Sequence, residues 1–296
     1  MRKSFFLLLI FASSCLDGTK TLPSSTGSFS EVIFVVEDDL WQESIKEAVT
    51  ETFGAPIEGL NQDEASFRIV QVNHAEFKSI LKMHKNIVII AKDVKASSQK
   101  NKWANVQLVV QLNYEKKNIK NNLNKIKAIF ELEEVRSIKN KITTTSQQLP
   151  QKNIYQNFKI ELLIPSEYII IKDTSTFFWA TYNPEKQEVI KQLLVFSFIP
   201  KATSLQQEVL QKTDSIFAQY LHGAKQGQYV KIEPEFPPYY INNAYSGLWK
   251  LEKGFMGGPF LAKTYFVNGK IVVAVGLVFD PNSRKRKHLK TFEAIL

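Results

Sequence analysis

The chain has 296 residues, 38 of them Lys or Arg against 29 Asp or Glu, a net charge of +9. Its one cysteine excludes an intramolecular disulfide framework and any C-x-x-C pair for zinc or redox work. Beyond the N-terminal leader no stretch reaches the eighteen apolar residues of a membrane span, so the body must fold around a core supplied by 21 Phe, 10 Tyr and 4 Trp among its apolar residues.

The leader itself is patterned. Arg2 and Lys3 precede an unbroken apolar run, Phe5 to Ala12, which ends in Ser13-Ser14-Cys15. Positive, apolar, small is the layout of a secretory signal, and the run is too short to cross a bilayer. The cysteine sits where a bacterial lipobox places the thiol that is acylated and becomes the new N-terminus. Ser14 suits cleavage; Ala12 stands where Leu is usual. Residues 1–14 are therefore expected to be a signal peptide and Cys15 the lipidation site, with the membrane as partner through the lipid. A plain signal cut nearby, leaving Cys15 free, is the alternative. Loss of Arg2 and Lys3 lowers the net charge from +9 to +7. Leu16 rather than an acidic residue follows the cysteine, which points to the cell envelope and the periplasmic face of the outer membrane.

Residues 15–29, rich in Ser, Thr, Gly and Pro, read as a flexible tether. Glu31 to Glu37 is a buried strand by its apolar, β-branched run, and Asp39 with Gln42 predicts a capping box for a helix that stops at Gly54. Phe67 to Val72 alternates as a strand. Asn73 and Glu76 predict a short helix to about Lys85, and Asn86 to Ala91 and Val106 to Leu112 are further strands. Lys116 to Lys139 predicts a long polar helix with Ile119, Leu123, Ile126 and Phe130 on one side. Residues 143–157 lack periodicity and read as a linker between an N-terminal α/β-like half (30–142) and a C-terminal α+β half (158–296). Strands follow at Lys159–Ile164, Tyr168–Lys172, Phe177–Tyr182 and Ile190–Ile199, then a helix capped by Ser204. Phe260–Val267 and Lys270–Phe279 are joined by Asn268-Gly269, a strong hairpin signal, and a basic helix runs from Ser283 to Leu296. The fold class is α+β, with mixed or antiparallel sheets, packed helices and strand–helix–strand units in both halves.

Few catalytic patterns are present. There is no G-x-S-x-G, H-E-x-x-H or phosphate-loop motif, and the four histidines have no metal-binding spacing, so no catalytic residue, metal or cofactor is assigned. Glu37, Asp38 and Asp39, at the carboxyl end of a strand, form a candidate acidic site, with helix capping as the plainer reading. Ser246 to Phe260 (SGLWKLEKGFMGGPF) combines helix-breaking glycines with large apolar side chains. It is a candidate binding loop through Trp249, Phe255, Met256, Gly257 and Gly258, against the alternative that its aromatics fold into the core. Basic stretches at Lys116–Lys141 and Arg284–His288 fit lipid headgroups or, more simply, solvated helix faces. Export and the lack of interleaved aromatics argue against nucleic acid.

Leu22-Pro23-Ser24-Ser25-Thr26-Gly27, EVIFVVEDDLW and SGLWKLEKGFMGGPF together resemble the Bacteroidota lipoproteins catalogued as domain of unknown function 4837, over essentially the whole chain. That resemblance implies export and lipidation and carries no catalytic residues. The expected function is an envelope lipoprotein that binds a protein or polymer partner through the aromatic loop. The alternative is a hydrolase-like envelope enzyme using the acidic cluster.

Overall fold

The structure, a computed structural model, describes residues 21–60, 62–201 and 204–296; the expected signal and Cys15 lie outside the described residues. The architecture is α+β, built on two sheets. In the first half β1 (Glu31–Val35), β2 (Arg68–Val72), β3 (Asn86–Ala91), β4 (Ser97–Lys100) and β5 (Leu108–Asn113) form a sheet in the order β2-β1-β3-β5-β4, parallel except for β4. β1 is covered on both faces, which explains its unbroken apolar run. Val32 and Phe34 pack towards α2 (Lys46–Phe53) and α3 (Ile119–Thr143), and Ile33 and Val35 towards Phe77. Phe34, Phe53 and Phe130 are fully buried, each contributing roughly 2 kcal/mol by removal from water.

The second half is antiparallel. β6 (Ile169–Asp173), β7 (Phe177–Tyr182), β8 (Ile190–Phe198), β9 (Val230–Ile232), β10 (Tyr239–Ile241), β11 (Ala244–Leu251), β12 (Gly257–Val267) and β13 (Lys270–Phe279) form one sheet, in the order β10-β11-β12-β13-β8-β7-β6 with β9 also on β11. One face is covered by α5 (Leu205–Tyr220) through Val209 and Phe217. The other is covered by α4 (Gln148–Phe158) and α6 (Arg286–Ile295) through Ile154, Phe158, Leu289 and Phe292. Asn268 and Gly269 both have positive φ, as the two-residue turn between β12 and β13 requires.

The departures from expectation have local causes. The helix expected up to Lys85 is reduced to a 3₁₀ turn at Ser79–Met83, although Asn73 does accept the Glu76 amide at 2.9 Å. Glu37 rather than Asp39 precedes α1 (Asp38–Leu40), no side chain caps it, and Gln42 lies in a π turn at Trp41–Ile45, so the expected capping box is not formed. The linker expected at 143–157 contains most of α4. Its Pro150 stands in the first helical turn, where a missing N–H costs nothing. The alternation at Lys159–Ile164 buries Ile160, Leu162 and Ile164, but the segment joins no sheet; the Leu163 amide bonds the Ile295 carbonyl of α6 instead. β4 is wholly exposed and polar, so hydropathy could not mark it. The described part of the expected tether is docked. Asn105 donates to Leu22 O at 2.7 Å, and the Thr26 and Lys85 segments exchange backbone bonds. Gly27, at φ +97°, lies against the His84 ring where a Cβ has no room.

The halves are joined at α6. This helix has no capping side chain of its own. Glu64, from the first half, accepts the Lys285 amide at 2.7 Å and the Arg286 amide at 3.2 Å, and lies 3.8 Å from the Arg286 guanidinium. Arg286, 6 % exposed, also donates to Ala65 O at 2.9 Å. A carboxylate at a helix N-terminus satisfies free amides and opposes the helix dipole. Glu64→Ala is expected to cost about 2 kcal/mol. A lower urea midpoint with an unchanged slope, and faster exchange of the Lys285 and Arg286 amides, would report it.

Candidate functional site

The stretch Ser246–Phe260 resolves into β11, a tight hairpin and the start of β12. Leu251 and Met256 close the hairpin by a backbone bond, with Lys253 at positive φ. The alternation of the strand then separates the two aromatics. Trp249, 5 % exposed, turns into the core and donates from Nε1 to Val278 O at 3.2 Å. Phe255, at the tip, is 89 % exposed, and Met256 packs in between against the core beneath α5. Sequence reasoning weighed an exposed aromatic tip against a folded-back one; each reading holds for a different residue.

Gly257 and Gly258 serve this arrangement. A Cβ on Gly258 would stand 2.1 Å from Val278 O, the carbonyl that holds the indole, and one on Gly257 would stand 2.9 Å from Trp249 O. The glycines thus allow the strands to close around Trp249. Gly258→Ala is expected to cost about 1–3 kcal/mol through this collision. Phe255→Ala, which buries little, should stay within about 0.5 kcal/mol of the parent. Thermal or urea melts of the two variants side by side check the contrast.

Around the hairpin lies a cleft of about 960 Å³, whose walls come from both halves. Trp249, Phe255, Met256, Gly257 and Gly258 line one side. Residues 62–65 of the first half and residues 280–285, between β13 and α6, line another. Phe236, half-exposed, adds a second aromatic that sequence reading missed; its signal was the Pro-rich approach of Pro234, Pro237 and Pro238. Charge within the cleft is largely compensated. Glu64 is bound as described, Lys250 pairs with Glu233 at 2.9 Å, and Asp280 accepts from His288 at 2.8 Å.

Asp280 and His288 form a buried pair behind this wall. Burial works against the Asp280 charge, but hydrogen bonds from His288 and Ser283 hold its carboxyl below the ordinary carboxylate range. Burial pushes His288 below its ordinary range, opposed by Asp280 and reinforced by the Lys191 and Lys285 ammoniums. The imidazole is therefore neutral at neutral pH. The unfolded chain takes up the histidine proton near pH 6.5 and the folded chain only lower, so stability falls as pH drops through that interval. The contribution of Asp280 persists above 3.8 and is lost only below it. Urea midpoints should fall between about pH 7 and pH 5, and His288→Gln should flatten that fall.

The acidic candidates lie elsewhere, beyond the carboxyl ends of β1 and β2, and all three are exposed. Asp38 accepts from Gln71 at 2.9 Å and from Asn73 at 3.3 Å, which hold its carboxyl below the usual range. Glu37 meets His74 at 2.9 Å, and Asp39 faces solvent. Among the described residues no group of three or more His, Cys, Asp or Glu is arranged to hold a metal ion. The basic stretch at Arg284–His288 is not a wholly solvated face, since Arg286 and His288 are buried by Glu64 and Asp280.

A family model described as Domain of unknown function (DUF4837) matches residues 147–296, and one described as Domain of unknown function (DUF8532) matches residues 25–143. The sequence resemblance was drawn over the whole chain; the first model covers the second half, while EVIFVVEDDLW lies under the other. No curated protein matches the chain.

Proposed function

The chain belongs to the family described as Domain of unknown function (DUF4837), and on that premise we propose that it is an exported, lipid-anchored envelope protein that binds a partner through the Phe255 cleft. The leader, with Cys15 at its small-residue boundary, supports export and acylation, and the same reading places the chain among bacterial lipoproteins of the Bacteroidota type. Lipid on Cys15 would set the body at the periplasmic face of the outer membrane. The observation that carries the binding reading is Phe255. A side chain of this size at 89 % exposure, on a hairpin fixed from beneath by Trp249, offers contact area at little ordering cost. With Phe236 nearby and the cleft's charges compensated, the surface suits an apolar or aromatic segment of a protein or polymer better than an ion.

The test uses the full chain in native envelopes, tagged and cross-linked. Cys15→Ala should move the protein from the membrane to the soluble fraction and abolish incorporation of labelled fatty acid. Phe255→Ala with Phe236→Ala should leave folding intact and reduce cross-linked partner at least tenfold. An undiminished partner yield from the double variant would overturn the cleft assignment, and continued acylation of Cys15→Ala would overturn the anchor.

A further inference from the structure

A second cleft, of about 970 Å³, opens on another side of α6, between that helix and the C-terminal part of α3. The two basic stretches, far apart in sequence, meet there: Arg136 and Lys141 come from α3, and Lys287 from α6. Lys85, Lys100 and Lys191 complete the cationic lining, against the carboxylates of Glu133, Glu134 and Glu167. Two of those carboxylates are engaged. Glu133 is bound by Lys100 at 2.9 Å and Arg136 at 2.5 Å. Glu134 accepts from the Ser30 amide, the Ser30 hydroxyl and Asn86. Among the described residues, Lys85, Lys141, Lys191 and Lys287 form no ion pair, which leaves four lysines of the lining against the single remaining carboxylate of Glu167.

We propose that this cleft binds a small amphiphilic oxyanion, a phosphate or carboxylate joined to an apolar body, with Lys191 and Lys287 as its principal anion contacts. The charge imbalance in a concave, partly apolar wall concentrates positive potential where an anion would sit. Phe29, Ile138, Ile142 and Pro165 supply the apolar part of the wall. Lys191 lies with its ammonium 4.8 Å from the Tyr182 ring centroid, a contact that favours this position before any ligand arrives. Burial pushes that ammonium below the ordinary lysine range, with the Lys287 charge adding to the lowering and Glu167 and Asp280 opposing it. Tyr168, 4 % exposed, belongs to the same wall, and its hydroxyl has no hydrogen-bond partner. The Tyr168 hydroxyl is itself buried, so the unpaired lysine ammoniums carry the demand for an oxyanion. The Phe255 cleft, lined by Asp63, Glu64, Glu233 and Asp280 against Lys250, Arg284 and Lys285, has no such excess of positive charge, which makes this a different site with a different ligand.

Calorimetry on the full chain with inorganic pyrophosphate, octanoate and octanol tests the proposal. Saturable binding of pyrophosphate or octanoate is expected, weakened at least tenfold by Lys191→Met or Lys287→Met and by raised salt; octanol should bind far more weakly. Met keeps the apolar stem of lysine, and a control at exposed Lys225→Met should change nothing. Octanoate should bind more tightly than pyrophosphate, because only it carries an apolar body; pyrophosphate binding the tighter of the two would overturn the amphiphilic ligand. As a second readout, the NMR signal of ¹³C-methylated Lys191 should titrate to higher pH when the anion binds. No saturable binding of either anion, equal affinity in both lysine variants, or octanol binding as tightly as octanoate would overturn the proposal.

Discussion

The carboxylate of Glu64 governs the assembly of this molecule. It arises in a loop of the parallel half and ends at the first amides of α6, a helix that belongs to the antiparallel half and has no cap of its own. A helix start buried without partners leaves several unsatisfied donors, so α6 is complete only when the first half is docked. The loop is fitted to the task. Gly59 takes φ +84° with Ser246 O only 2.7 Å from where a Cβ would stand, so the loop lies directly on β11. The two halves match separate family models, and the Glu64 contact ties them together alongside the packing of α3 on α6 and the Lys290–Glu131 ion pair.

A second buried polar group organises the first half. Glu134 sits on the face of α3 that carries Ile119, Leu123, Ile126 and Phe130, where apolar periodicity leads one to expect another aliphatic residue. Its carboxylate gathers Ser30, just before β1, and Asn86, which opens β3, so that the helix fixes the start of both parallel strands. Glu31 extends the network to His84 at 3.0 Å and Arg68 at 3.0 Å. Buried ions of this kind add little net stability, but removing one partner leaves the others uncompensated. Their role here is register: they specify which helix turn meets which strand end.

Most of the fold was legible because its elements carry a local period. β1, β3, β7, β8 and β13 were recoverable from apolar runs, α3 from its stripe and the last hairpin from Asn268-Gly269. What was missed carries no such pattern. β4 pairs through its backbone alone with a wholly polar sequence, and α4 hides behind a proline and three glutamines. The Ile160–Ile164 alternation was correctly apolar but wrongly paired, since burial under α6 and burial in a sheet leave the same trace. For the site, the glycines and aromatics of Ser246–Phe260 were visible as a group. Their division into a buried anchor at Trp249 and an exposed tip at Phe255 was not, because it depends on where the hairpin turns. Residues 62–65 and 280–285 meet in the cleft at the Glu64 contact, across a separation that no local pattern encodes.

Both clefts flank α6, and this has a thermodynamic consequence. Lys285, just before the helix, lines one and Lys287, in its first turn, the other; the helix is held at its start by Glu64 and at its end by the Leu163 bond to Ile295 O. Both ends of the helix are thus held by residues outside it. The coupling of the two clefts runs through stability. Each cleft is walled by both halves, so an occupant of either favours the docked state by mass action, about 2.7 kcal/mol when it is present at a hundred times its dissociation constant. A protein built this way gains stability from whatever either cleft holds, and the helix that closes the fold also divides its apolar surface from its cationic one.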